Sequence, residues 1–295
     1  MKKKAKSIAI IVAALTLCLT LGLTLVACNK AKVSKLSGGD AVELFNTVLL
    51  NTQNYSLYEV NISEKKIKGS ETSTRTCLFR STENKNAESG SGTKPTYPSS
   101  SYYGLINEVD SAASTNENTE YYIGRPLTGG NASATGQDKL FTKEWNSGEK
   151  KPGGTVTDDS YSDPINDTKK SQIAKDYGMF ATTDMLQYIV DLKLNDAYES
   201  FSVTGTVTEK KKAYVSNELI VKMTYKHYGE LYIFEAKLQV ESYNLTLNGK
   251  DGSYKLISSA SIFYNYPSTN YTLNSCFNYA PTTIVMPKVS DWKNN

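Results

Sequence analysis

The hydrophobic positions of this 295-residue chain change period several times, and each change marks an element. An apolar run from Ile8 to Ala27 follows Lys2, Lys3, Lys4 and Lys6. Residues 29–39 (NKAKVSKLSGG) are polar, end in Gly38-Gly39 and read as a flexible tether within residues 28–39. From Asp40 the spacing is helical: Ala41, Leu44, Phe45, Val48 and Leu49 fall on one face. Asp40, with Glu43 three residues on, forms a capping box, and the helix is expected near residues 40–52. The period then drops to two. Tyr58, Val60 and Ile62 alternate with Glu59, Asn61 and Ser63, which is a strand with one apolar face. Gly69-Ser70 suits a turn, and Thr72 to Ser81 reads as the returning strand, with Cys77 and Phe79 on one side.

Residues 83–170 have loop composition, interrupted by short strand candidates at Ser101–Val109, Glu120–Arg125 and Lys139–Trp145. They fit a meander with long polar loops, or a recognition surface made from those loops. A second helix is expected near residues 184–196, capped by Thr183 or Asp184, with Met185, Leu186, Ile189, Val190 and Leu194 on its buried face. The last hundred residues alternate most clearly. Phe201, Val203 and Val207 precede Leu219, Val221, Met223 and Tyr225; Tyr228-Gly229-Glu230 then turns the chain. Tyr232, Phe234, Ala236, Leu238 and Val240 face one way. Near Ser242 the phase slips to Tyr243, Leu245 and Leu247, which a bulge or a sharp bend accommodates. Asn248-Gly249 begins a hairpin loop, Tyr254 to Tyr264 forms the partner strand, and Tyr271–Tyr279 and Thr283–Met286 follow as strands.

Long antiparallel strands joined by tight turns predict a mainly β fold of the α+β kind. It is a single domain over residues 40–290, a curved antiparallel sheet or half-barrel covered by two helices, with long polar loops. The use of 21 tyrosines against 8 phenylalanines agrees with half-buried pleated surfaces.

Lysines, an apolar middle and small residues before Cys28 are the parts of a secretory signal peptide over residues 1–27. Leu25-Val26-Ala27-Cys28 resembles the lipobox of bacterial lipoproteins, in which the cysteine is acylated and becomes the first residue. The resemblance implies lipidation at Cys28 and a place on the extracytoplasmic face of a bacterial membrane. A transmembrane anchor and a secreted protein cut elsewhere are the competing readings. Removing residues 1–27 takes four cations and no acid, so the net charge falls from +3 to −1, and no nucleic-acid partner is expected. Cys18 leaves with the leader. Cys77 and Cys276 remain, either as a disulfide or as two thiols acting as small apolar side chains.

No catalytic site is legible, and the expectation is a protein that is not an enzyme and needs no cofactor. The single histidine, His227, stands beside a turn, away from any nucleophile pattern. No His/Cys spacing suits a metal, and Asp158-Asp159 with Asp163 does not form a calcium loop. Gly129-Gly130 and Gly153-Gly154 are not phosphate cradles, because they neither follow a strand nor open a helix.

The stretch AVELFNTVLLNTQNYSLYEVNI, a capped amphipathic helix entering a strand, resembles the start of Lol-type lipoprotein carriers. It is similar too to mycobacterial glycolipid-binding lipoproteins. The mid-chain helix Asp184–Leu194 and the closing Thr283-Ile284-Val285-Met286-Pro287 match their later elements. The resemblance implies a half-barrel with an apolar cavity for acyl chains. Phe234, Ala236 and Leu238 would line its wall with Val60 and Ile62 opposite, Ala236 leaving room between larger neighbours. Two functions stay open: a membrane-anchored lipoprotein binding lipid or another hydrophobic ligand, and a surface lipoprotein without a small ligand, working through protein or glycan contacts of its loops.

Overall fold

The alternating segments assemble into one antiparallel sheet. The computed structural model describes residues 32–83, 100–124, 127–128, 131–132, 138–157, 165–210, 214–280 and 284–294. Residues 1–31, Cys28 among them, lie outside these, as do Asp158, Asp159, Asp163 and Gly129-Gly130. In chain order the elements are β1 (Lys32–Lys35), α1 (Gly38–Asn54), β2 (Glu59–Lys68), β3 (Glu71–Glu83), β4 (Ser100–Asp110), β5 (Thr115–Gly124), β6 (Leu127–Thr128), β7 (Asn131–Ala132), β8 (Lys139–Asn146) and β9 (Thr155–Thr157). Then come α2 (Asp167–Asp176), α3 (Ala181–Leu194), β10 (Ser200–Lys210), β11 (Tyr214–His227), β12 (Glu230–Leu247), β13 (Lys250–Tyr266), β14 (Thr269–Asn278) and α4 (Val289–Asn294).

Twelve of these strands form one open, curved antiparallel sheet in the order β1-β10-β11-β12-β13-β14-β2-β3-β4-β5-β8-β9. The fold is mainly β, as the alternation predicts. Two pairs of sheet neighbours lie far apart in the chain: β1 lies beside β10, and β14 returns to lie beside β2, with Phe277 opposite Val60. Tight two-residue turns join β2 to β3, β11 to β12, β12 to β13 and β13 to β14. Asn248 and Gly249 carry φ of 51° and 74°, the left-handed pair that a hairpin of this twist requires.

Helix α1 and helix α3 lie on one face of the sheet. Ala41, Phe45, Val48 and Leu49 of α1 and Leu186 and Ile189 of α3 share a single hydrophobic core with the inward residues of the strands. The bulge expected near Ser242 of β12 lies on the partner strand instead: Gln239 stands opposite Ser259 and Val240 opposite Ile257, so Ser258 of β13 is the extra residue. Helix α1 serves the backbone beside that bulge. Thr52 Oγ1 accepts from the Ile257 amide (3.1 Å) while donating to the Val48 carbonyl (2.7 Å). The Tyr279 hydroxyl donates to the Ile257 carbonyl (2.6 Å), and Asn51 Nδ2 to the Lys255 carbonyl (3.1 Å). The C-terminal helix α4 uses the opposite face. Trp292 packs with Phe141 and Met286, and its indole N–H donates to the carbonyls of Thr142 and Thr155 (3.3 and 3.0 Å).

Several local expectations are corrected. Lys32–Lys35, read as tether, is a strand paired with β10, whose edge has backbone groups to satisfy. Helix α1 begins at Gly38, because Ser37, not Asp40, supplies the cap: Ser37 Oγ accepts from the Asp40 amide (3.1 Å). Helix α3 starts at Ala181, with no side-chain cap at Phe180. Leu194, the last residue of α3, is 75% exposed instead of buried. Residues 284–288 are irregular, so no strand forms at the described part of Thr283–Met286; Met286 packs under α4 instead. Helix α2 was not expected, although Asn166 caps it by accepting from the Lys169 amide (2.9 Å). Residues 83–170 contribute β4, β5, β8 and β9 to the main sheet as a meander.

Cys77 and Cys276 are both free. Cys77 stands opposite Ile62, and Cys276 opposite Asn61, the next residue of β2. Neighbouring positions of a strand face opposite sides, so Cys77 is buried under the helices and Cys276 is exposed on the other face. Burial pushes the Cys77 thiol up to about 12.

Two measurements follow from these contacts. Thr52→Val keeps the shape but leaves the buried Ile257 amide without an acceptor, so denaturant unfolding should show a loss of about 1–3 kcal/mol, whereas Thr52→Ser should lose less. A thiol reagent near neutral pH should modify Cys276 in the native protein and Cys77 only after unfolding; equal native rates would contradict the placement of the two residues.

Candidate ligand cleft

The five residues expected to line a lipid cavity are brought onto one face, but as core. Val60, Ile62, Phe234, Ala236 and Leu238 have exposures of 0, 2, 1, 0 and 0%. They belong to the same cluster as Phe45, Val48 and Leu49 of α1 and Leu186 and Ile189 of α3. The two helices therefore lie directly on the apolar stripe. Beyond Phe234, toward the β11–β12 turn, tyrosines continue the filling. Tyr225 stacks on Tyr232 at 5.0 Å, Tyr232 on Tyr266 at 6.4 Å, and Tyr188 of α3 meets Tyr225 edge-on at 6.2 Å. The Tyr225 hydroxyl bonds to that of Tyr264, and burial drives its pKa upward.

A different feature opens beside α1 and α3. A cleft of about 330 Å³ lies where the end of α1 and the start of α3 meet β3 and β4. Gln53, Tyr55 and Ser56 come from the end of α1 and the residues after it. Ser81 and Tyr102 form its floor, and they are direct partners across the β3–β4 register. Ser171 and Lys175 of α2, and Phe180, Thr183 and Asp184 around the start of α3, close the other side.

Each wall has a local cause. Helix α1 stops at Asn54, and Tyr55 leaves the helix with φ −92° and ψ 113°, its ring edge-on to Tyr279 at 5.6 Å. Ser81 continues the inward series Cys77, Phe79, Ser81 on β3, and its amide donates to the Tyr58 carbonyl (2.8 Å). The side chain is 1% exposed, and its hydroxyl has no hydrogen-bond partner among the described residues. The adjacent Tyr58 is buried, which raises its pKa, with Tyr102 and Asp184 adding to the shift. The α2–α3 wall is pinned to the sheet by Arg75. Its guanidinium pairs with Glu108 (2.6 Å) and Glu64 (3.5 Å) and donates to the Tyr177 carbonyl. The Tyr177 ring stacks on Tyr121 at 4.2 Å, and Tyr121 lies where a Cβ on Gly104 would stand, 2.2 Å from its ring. Across the mouth, Lys175 Nζ is 3.4 Å from Asp184, and Gln53 Nε2 donates to Gln187 Oε1 (3.1 Å), which links α1 to α3.

Gln187 therefore ties two helices together and does not close a capping box with Asp184. His227 is exposed at the end of β11, against the rings of Tyr228 and Tyr232. No group of three metal-ligating side chains occurs among the described residues, and no described helix is long and apolar enough to cross a membrane. Gly153 and Gly154 precede the edge strand β9, with Trp292 packed against Gly154.

Sequence reading missed the cleft residues because they come from five elements and share no motif. The one local signal for the α2 wall was the cap at Asn166, and its helix buries Ile173, Ala174 and the charged Lys170, a mixture without an apolar stripe. Compared with protein-family models, curated proteins and solved structures, the chain matches none.

Proposed function

We propose that this chain is a lipoprotein held on the extracytoplasmic face of a bacterial membrane through acylated Cys28. Its domain works by recognition at its surface, through protein or glycan contacts, and not by carrying lipid inside the sheet. The leader from Lys2 to Cys28 supports the anchor. The observation that carries the choice of recognition over transport is the burial of Val60, Ile62, Phe234, Ala236 and Leu238 beneath two helices. An acyl chain gains about 0.8 kcal/mol for each methylene removed from water. That gain needs space, and in a packed core each intruding group instead costs about 1–3 kcal/mol in displaced side chains.

The anchor is tested by metabolic labelling with a palmitate analogue. Wild-type protein should be labelled and partition into detergent; Cys28→Ser should be unlabelled and accumulate as uncleaved precursor. Normal processing of that variant, with wild-type protein in the aqueous phase, would remove the anchor from the account.

The filled sheet is tested at Ala236. With no exposed surface at this position, Ala236→Trp should overpack the core and lower the unfolding free energy by about 1–3 kcal/mol or more. Wild-type protein should take up no fluorescent fatty acid. Tolerance of Ala236→Trp together with uptake that the variant abolishes would restore the carrier reading.

A further inference from the structure

We infer that the cleft between α1, α2, α3 and the β3–β4 pair is a binding site for an uncharged sugar unit, with the Ser81 hydroxyl as its innermost hydrogen-bonding group. This deepens the recognition reading above and rests on it for the extracytoplasmic source of the sugar.

The argument begins with Ser81. A buried hydroxyl without a partner costs about 1–3 kcal/mol, and the described residues offer it none. Cys77 and Phe79, the inward positions before it on β3, are apolar and belong to the core. A polar residue at the next inward position is unfavourable for packing, but it suits a floor that a polar ligand reaches. Ser81 lines the cleft, so its unmatched hydroxyl borders the space a ligand would fill.

The lining then selects the class of ligand. Its one cation and one anion, Lys175 and Asp184, stand 3.4 Å apart and neutralise each other. A phosphate or carboxylate drawn by Lys175 would be repelled by Asp184, and an ammonium would meet the reverse. The remaining polar groups are neutral: Gln53, Ser56, Ser171 and Thr183 around the walls. Tyr55, Tyr102 and Phe180 interleave with them as aromatic surface. An acyl chain would leave the Ser81 hydroxyl unmatched. A sugar ring presents apolar C–H faces and several neutral hydroxyls at once, each able both to donate and to accept. About 330 Å³ lies at the small end of ligand sites, so the site takes one or two units of a glycan and not a long stretch of it.

The walls are prepared for a ligand before it arrives. Arg75 holds the Tyr177 carbonyl, Tyr121 stacks on the Tyr177 ring, and the Gln53–Gln187 bond fixes α1 against α3. A site held this way loses little freedom on binding.

The test uses the full-length lipidated protein in a detergent that carries no sugar, applied to an array of neutral and acidic oligosaccharides. The expected result is binding to neutral glycans, with acidic ones no better. Ser81→Ala removes only an unsatisfied hydroxyl, so its thermal midpoint should be unchanged or raised, while affinity falls about threefold to tenfold. Retention on isolated cell-wall glycan marks the envelope as the source of the sugar, and binding of free disaccharide alone marks a captured solute; either supports the site. Absence of binding to any neutral sugar overturns it, as does affinity that Ser81→Ala leaves intact, or displacement of the sugar by a fatty acid or a peptide. Because the palmitate label reports the anchor separately, a labelled protein that binds no sugar defeats this inference and leaves the lipoprotein reading standing.

Discussion

The contact on which the structure depends is the seat of α1 against the bulged part of β13. A bulge leaves backbone groups out of the ladder, and buried backbone groups without partners are costly. Thr52, Asn51 and Tyr279 supply those partners, at Ile257 and Lys255. The same seat sets the position of Phe45, Val48 and Leu49 over the sheet and fixes where the helix ends. Everything downstream of Asn54 inherits that placement, including Tyr55, Ser56 and the descent into β2. The cleft is a consequence of where this helix is docked.

A wide antiparallel sheet must also cover a face and protect two edges. The concave face is covered by α1 and α3 and closed toward the β11–β12 turn by stacked tyrosines, whose hydroxyls satisfy one another. At one edge, β1 is four residues long and carries lysine at each end, which discourages further pairing. At the other, Trp292 donates to carbonyls of both β8 and β9, and Lys143 lies 4.2 Å over its ring. The C-terminal helix thus supports the β8–β9 edge from the opposite face.

The cleft and the core divide the concave side between two chemistries. Along β3 the inward series runs Cys77, Phe79, Ser81, and polarity begins at Ser81, where the strand lines the cleft. An ion pair of half-exposed side chains at the mouth contributes little to stability, about 0–1 kcal/mol. Its effect is on charge: it makes the opening neutral. The aromatic residues there face both a packed interior and a wet cleft, which suits side chains with an apolar body and a polar tip.

What the sequence determined by itself was local. The apolar alternation of Tyr58–Ile62 and Tyr232–Val240, the turn at Asn248-Gly249 and the slip near Ser242 were all legible, because a strand writes its buried face into every second residue. The helix start was misplaced by two residues because Asp40 and Ser37 are both good caps, and the choice between them was made by where α1 meets the sheet. Leu194 looked like core because helical spacing cannot say where along a helix burial ends. The fate of Cys77 and Cys276 was decided by register: one residue of offset along β2 puts them on opposite faces. Whether Phe234, Ala236 and Leu238 lined a hollow or filled a core depended on how closely two helices approach the sheet, a quantity that no period along the chain records. The cleft belongs wholly to tertiary structure, because its walls come from residues 53–184 and meet only when β3, β4 and three helices are in place.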